Sequence, residues 1–197
     1  KARELPADYV RDWYFAAYAD GISHDHVAWF LPRVMEMLAD GEDVAAVGHE
    51  VAFARLPLTG FPERWAKREV DAVQMFAVAF FDTLLAADEA ESSQDIDSWL
   101  CMFGQGGIDI GPLLARLDAL DDARLIELLH RDWVHLNGRS IPSDAFWGPS
   151  PARAAVWTWY TSPVLAARME GAAMAGNEKA LDLYDIIVAH SDASSAD

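Results

Sequence analysis

Apolar residues recur along most of the chain at intervals of three and four positions, the spacing that places them on one face of an α-helix. Boundary signals separate these segments, with Ser, Asp or Asn at their starts and Gly or Asn at many of their ends. The sequence therefore predicts an all-α fold of about ten short amphipathic helices, packed as an irregular array or bundle.

One predicted helix differs from the others in length and apolar character. The segment 63–85 is apolar on most sides from Val70 onward, so we expect it to run through the centre of the core. The segment 27–39 predicts a helix with Pro32 in its first turn, and 43–56 predicts another. A first helix from about Pro6 is expected to carry Tyr9 and Trp13 on its apolar face.

Cap residues predict where most of the helices begin, because short polar side chains can accept hydrogen bonds from the unpaired N–H groups of a first turn. A helix that starts near residue 123 is expected to end at Asn137 and Gly138. The predicted N-terminal caps are Ser23 or Asp25, Ser93 or Asp95, Asp121, Ser150, Ser162 and Asn177.

The length of 197 residues fits one helical domain over 1–190, with a frayed tail over 191–197. The longest apolar run, 72–87, is interrupted by polar residues, which argues against a membrane span. The first residues lack the apolar segment of a secretory signal. A lone cysteine, Cys101, lies among apolar neighbours and suits a buried thiol in a reducing compartment, so we expect a cytoplasmic protein.

The charge is strongly negative and unevenly distributed. Thirty-two acidic residues against fifteen lysines and arginines give a net charge of −17. No Lys or Arg occurs between Glu69 and Ala115, a stretch that holds nine carboxylates. Binding to nucleic acid or to an anionic membrane needs clustered cations, so both partners are excluded and a basic protein is favoured. High charge that serves only solubility is the alternative.

Large aromatic residues concentrate between positions 146 and 160. Such a cluster either fills a core or forms a recognition surface, because Trp and Tyr are frequent in both places. Trp157 and Trp159 cannot share one face of a helix, so one of them is expected to be partly exposed. The residues assigned to a partner surface are Trp147, Trp157, Trp159, Asp88, Glu89 and Glu91.

Two short patterns resemble metal-binding motifs. The histidines of His24-Asp25-His26 would ligate a metal only in extended backbone, and a solvated helix start is the alternative. Glu127 and His130 have the spacing found in di-iron bundles, but a second such pair is missing, so an exposed helix face is the preferred interpretation. We assign no metal and no cofactor.

Catalytic chemistry has equally little local support. Cys101 lacks any nucleophile signature, and packing in the core is preferred. The glycines between Gly104 and Gly107 lack the strand and the Gly-Lys-Ser/Thr of a phosphate loop, so we interpret them as a hinge between helices. No catalytic residue is assigned.

A run with the pattern Phe-Leu-Pro-Arg-x-x-Glu-x-Leu spans 30–38, after Trp13-Tyr14-Phe15. With the long apolar helix, the Phe-Trp at 146–147 and the Ala-Leu-Asp-Leu at 180–183, it resembles a family of uncharacterised bacterial all-helical proteins. The resemblance extends over nearly the whole chain. It implies a helical fold and carries no activity and no catalytic residue.

Three hypotheses about function remain open. The leading one is an acidic, Trp-containing interaction module that holds a basic protein, as toxin-neutralising immunity proteins do. The second is a helical enzyme, metal-binding or small-ligand protein, with a pocket drawn from six residues. The third is a structural or assembly protein that forms homo-oligomers through exposed tryptophans. The residues of the second hypothesis are His24, His26, His49, Glu50, Glu127 and His130.

Overall fold

The computed structural model describes residues 4–14, 21–45, 48–87, 95–143 and 145–194. These residues contain nine α-helices and no strand, which confirms the all-α class but gives fewer helices than about ten. The helices are α1 (Ala7–Tyr14), α2 (His24–Ala39), α3 (Lys67–Ala86), α4 (Ile96–Gln105), α5 (Gly111–Asp118), α6 (Asp122–His130), α7 (Pro151–Tyr160), α8 (Pro163–Met174) and α9 (Glu178–Ser194).

Neighbouring helices pack in pairs. Helix α1 lies on α2, α3 on α5, and α8 on α9, while α6 contacts both α8 and α9. Helix α4 packs between α7 and a short 3-10 helix, His49–Val51. Among the described residues no helix is both long and apolar enough to span a bilayer.

The most buried helix is α4 rather than the predicted central helix. Eight of the ten residues of α4 are buried, including Cys101, which confirms the prediction of a packed thiol. Only Val73, Ala77, Phe81 and Leu85 are buried among the twenty residues of α3. The other large apolar side chains of α3 are only partly buried: Phe76, Phe80 and Leu84 pack on the core and also line a cavity, while Met75 is exposed.

Caps start the helices where the sequence predicts them. The side chain of Ser23 accepts from the His26 N–H at the start of α2, and Asp95 accepts from Ser98 at the start of α4. The further caps Asp121, Ser150, Ser162 and Asn177 are also confirmed. Each such bond contributes about 1 kcal/mol, so local sequence fixes most helix starts.

Three predicted boundaries are wrong. Helix α2 begins at His24, so Pro32 lies inside it rather than in its first turn. The segment 43–56 is not one helix, because its described part has Gly48 at a φ of +123° and forms only a 3-10 turn and bends. Helix α3 begins at Lys67, four residues later than predicted.

Two arginines complete helix ends that have no glycine cap. Arg124 of α6 donates to the carbonyl oxygens of Leu85 and Ala87 at the end of α3. Arg168 of α8 donates to Leu120 just beyond α5. A cation at a helix C-terminus donates hydrogen bonds to the free carbonyl groups and interacts favourably with the negative end of the helix dipole.

The start of α4 is held by a carboxylate from a distant helix. After His130 the chain continues as a π-helix, Arg131–Leu136, which carries Asp132 into the core. Asp132 Oδ2 accepts from the Ile96 N–H at 2.9 Å, and Oδ1 accepts from Arg131 Nε at 2.7 Å. Burial raises the pKa of Asp132 from its ordinary value of 3.8 to about 6.

The middle of α4 is packed against the loop before α7. The indole ring of Trp147 lies on the backbone of Gly104, so closely that a Cβ there would stand 2.7 Å from Trp147 Cη2. Trp147 Nε1 also donates to Asp97 Oδ2 at 3.1 Å. Gly104 is therefore a packing position within α4, and the predicted hinge is wrong at this residue.

Gly104→Ala is expected to lower the free energy of unfolding by about 1–3 kcal/mol, because the added Cβ would overlap the Trp147 ring and the Ala152 Cβ. Gly171→Ala is the matched control: Gly171 lies inside α8 and an added Cβ would meet nothing within 4 Å, so the change should be neutral or stabilising by about 0.5–1 kcal/mol. Urea unfolding of both variants checks this. Equal effects at the two positions would contradict the packing account.

Asp132 predicts a pH-dependent stability. A carboxyl group with a raised pKa binds its proton more tightly in the native state, so its contribution is present below pH 3.8 and is lost as pH rises through about 6. Wild type should lose about 2–3 kcal/mol relative to Asp132→Asn across this window. Unfolding curves at several pH values measure the difference, and a constant difference would refute the assignment.

Candidate functional site

The structure places two of the three assigned tryptophans in the interior. Trp147 packs on α4, as described above, and Trp159 Nε1 donates to Asp118 Oδ1 at 2.8 Å. Trp157 is half-buried with its ring against His190. The expectation that one of Trp157 and Trp159 is partly exposed is therefore confirmed. As placed, Trp147 and Trp159 offer little surface to a partner.

The three assigned carboxylates, Asp88, Glu89 and Glu91, lie outside the described residues. Their part in binding stays a prediction. The acidic stretch continues on either side of them, with Asp82 paired to Arg116 and Asp95 used as the cap of α4.

The six residues of the pocket hypothesis do not converge. His24, the first residue of α2, reaches α3: its Nδ1 is 3.0 Å from Asp25 Oδ1, and its Nε2 is 3.4 Å from Glu69 Oε2 of α3. His49 lies instead against Trp99, with ring centroids 3.7 Å apart. Glu50, the next residue, is buried.

Glu127 and His130 both turn towards α9 rather than to a common metal. Glu127 pairs with Lys179, and His130 Nε2 lies 3.2 Å from Asp182 Oδ2. His130 is buried, so the preferred interpretation of an exposed helix face is wrong at this residue. In the described ranges no group of three His, Cys, Asp or Glu residues is placed to hold a metal ion.

A patch of exposed aromatic rings lies on α1 and α2, and we call it the aromatic patch. It consists of Tyr9, Trp13 and Trp29, which are 42%, 50% and 48% exposed. Buried Phe30 joins the two helices beneath them: its ring centroid lies 4.8 Å from that of Trp29 and 6.4 Å from that of Tyr9. Tyr9 in turn lies 5.8 Å from Trp13, so the three exposed rings cluster around the buried ring of Phe30.

Sequence analysis missed this patch because it placed Tyr9 and Trp13 on the buried face of the first helix. That helix buries Val10 and Tyr14 instead. Residues 9 and 13, and residues 10 and 14, are both one helical turn apart, so spacing alone cannot decide which pair faces inward. The density of aromatic residues around positions 9–30 was the signal that could have found it.

Acidic side chains surround the aromatic patch. Asp12 precedes Trp13, and Asp25 lies one turn before Trp29 with its side chain almost fully exposed. The described residues between Glu4 and Ala45 carry eight carboxylates and two arginines. Arg11 and Arg33 both bond within the protein, Arg11 to Asp8 and to the Asp43 backbone, and Arg33 to the Leu5 backbone.

A separate cavity of about 590 Å³ lies beside α3. Its walls are the end of α2, the loop that follows it, one face of α3, and the stacked rings of His49 and Trp99. The volume is in the range of small-molecule pockets. Of the six residues of the pocket hypothesis, His49 lines this cavity.

Comparison with known proteins adds no constraint on these sites. No protein-family model, curated protein or solved structure matches the chain. The resemblance to a bacterial helical family through residues 30–38 stays a prediction. The surfaces just described are therefore the basis for a functional proposal.

His24 predicts a second pH effect. Its hydrogen bond with Asp25, and more weakly that with Glu69, raises the pKa of His24 above its ordinary value of 6.5. The stabilisation is thus present below pH 6.5 and is lost as pH rises through the raised pKa. Solvent screening limits it to about 0.5 kcal/mol.

Wild type should therefore be more stable than His24→Gln at pH 6, and the gap should shrink by pH 9. Thermal unfolding of both proteins in the same buffers measures it. A gap that stays constant over this range would show that the imidazolium ion is not the stabilising form.

Proposed function

We propose that this chain is a protein-interaction module that binds a basic protein through the aromatic patch of Tyr9, Trp13 and Trp29. The observation that carries the proposal is the cluster of these three exposed rings around the buried ring of Phe30. Holding a basic partner in this way is what an immunity-like or antitoxin-like protein does.

The chemistry of the patch favours a protein as the partner. Trp and Tyr dominate the hot spots of protein interfaces because their large rigid rings bury much area at a small cost in side-chain entropy. Scattered single exposed apolar residues are ordinary on a protein surface, whereas contiguous ones indicate a binding surface. Here Tyr9 and Trp13 are in ring contact, Phe30 links them to Trp29, and the two helices that carry these rings pack on each other.

The charge around the patch favours a basic partner. The sequence from Glu4 to Ala45 has nine carboxylates against two arginines, which extends the negative field of the whole chain to this part of the protein. Exposed charges of one sign accelerate association with an oppositely charged protein and repel others. Phosphate-bearing partners are disfavoured, because they need cations that this surface does not supply.

The test uses three immobilised proteins: wild type, Trp13→Ala/Trp29→Ala, and the control Met174→Ala. Met174 is 82% exposed on α8, so the control also removes an exposed apolar side chain. Each protein captures ligands from a lysate of the source organism at low salt. We expect one basic protein on wild type and on the control, and its loss from the double variant.

The purified partner then gives rates and affinities. Each Trp→Ala change should weaken binding about 30-fold, as for hot-spot residues that contribute about 2 kcal/mol. Raising the salt from about 0.05 to 0.5 M should slow association roughly tenfold. Retention of the partner by the double variant, or an association rate independent of salt, would contradict the proposal. Concentration-dependent dimers that the double variant abolishes would favour the assembly hypothesis instead.

A further inference from the structure

The lining of the cavity beside α3 combines apolar and aromatic side chains with two carboxylates. Phe76 and Phe80 of α3 lie one turn apart with ring centroids at 5.6 Å, and Trp99 lies 5.2 Å from Phe80. Glu42 and Asp43, in the loop after α2, add two carboxylates to the lining, and we call them the acidic wall. We propose that this cavity binds a small organic cation that carries an apolar body, such as an alkylammonium compound.

The aromatic wall fits both parts of such a ligand. An alkyl or aryl body would pack against the rings of Phe76, Phe80 and Trp99, and burial of apolar area is the main source of affinity for a small ligand. The negative faces of aromatic rings also attract ammonium groups, most strongly for Trp. The second ring of the stack, His49, covers Trp99 and helps to fix its orientation.

The acidic wall selects the sign of the charge. The described residues that line the cavity include two carboxylates and no Lys or Arg. Helix α2 ends at Ala39 beside the cavity, so the negative end of its dipole adds to the same field. An anionic ligand of the same shape would meet this field unfavourably.

Two arginines near the acidic wall lie outside the cavity lining. Arg33 approaches Glu42 at 3.5 Å, and Arg11 donates to the backbone oxygen of Asp43 at 2.6 Å. The carboxylate of Asp43 itself has no ion-pair partner among the described residues. Asp43 is therefore the side chain that would meet the ammonium group.

The size of the cavity favours a small molecule over a protein segment. About 590 Å³ accommodates a compound of drug-like size and is a common volume for such sites. The site is distinct from the aromatic patch, because α3 and Trp99 contribute nothing to that patch. Ligand binding in the cavity and partner binding at the aromatic patch can therefore be tested separately.

The experiment is calorimetric titration with three ligands of one chain length: octyltrimethylammonium, octanol and octanoate, each below its aggregation concentration. We expect saturable binding of the ammonium compound with one site, weaker binding of octanol, and at least tenfold weaker binding of octanoate. Binding of octanoate as tight as that of the cation would overturn the proposal.

Variants locate the site. Ala79→Trp should abolish binding by filling the cavity, since Ala79 lies on the lining of α3 and is exposed enough to accept a larger side chain. Ala167→Trp, at an exposed position of α8, is the control and should leave binding unchanged. Unchanged binding to a folded Ala79→Trp protein would overturn the proposal.

Two variants that each remove one carboxylate distinguish a specific site from general attraction to an acidic protein. Asp43→Asn should lower the affinity for the ammonium compound about two- to fivefold and leave the affinity for octanol unchanged. Asp185→Asn removes an exposed carboxylate on α9 and should change neither. Equal losses in the two variants would mean non-specific binding through net charge, which would also overturn the proposal.

Discussion

The packing of this protein depends on one buried carboxylate at the beginning of one buried helix. Helix α4 brings the positive end of its dipole and its unpaired N–H groups into the interior, where water cannot satisfy them. Asp132 supplies a hydrogen-bond acceptor at that point, and Arg131 donates to its other carboxylate oxygen. Asp95 completes the cap, and Asn137 donates to Asp95 at 2.9 Å. The π-helical turn after His130 gives Asp132 this position, so an irregularity of one helix secures the start of another.

Five of the eight tryptophans illustrate two different roles. Trp65, Trp147 and Trp159 are buried, and each indole N–H has an acceptor within the protein. A buried indole N–H usually has an acceptor, and the acceptors of these three residues fix them in the core. Trp13 and Trp29 are half exposed, although other aromatic residues of the same helices, Tyr14 and Phe30, are buried. Aromatic content alone therefore does not identify a binding surface; position relative to the core does.

Sequence patterns predicted those features that depend on neighbouring residues. The caps Ser23, Asp95 and Asp121 were predictable because a cap bonds to an N–H only two or three residues away. Features that depend on distant residues were not. Nothing near Asp132 in the sequence indicates that it meets Ile96, and nothing near Gly104 indicates that an indole ring lies on it. The aromatic patch was missed for a related reason, since the choice between two adjacent stripes of α1 is made by what α2 presents to them.

The contacts that secure α4 also constrain the order in which the chain acquires its structure. Asp132 lies 36 residues after Ile96, from whose N–H it accepts a hydrogen bond. Trp147, which packs on the helix, lies 50 residues after Asp97, to which its indole donates a hydrogen bond. Closing such loops costs entropy before any contact repays it. On the ribosome, the residues of α4 are made well before their cap and their cover. Helix α4 therefore cannot be fully capped and covered until the later residues have been synthesised. Until then its apolar surface is accessible to chaperones.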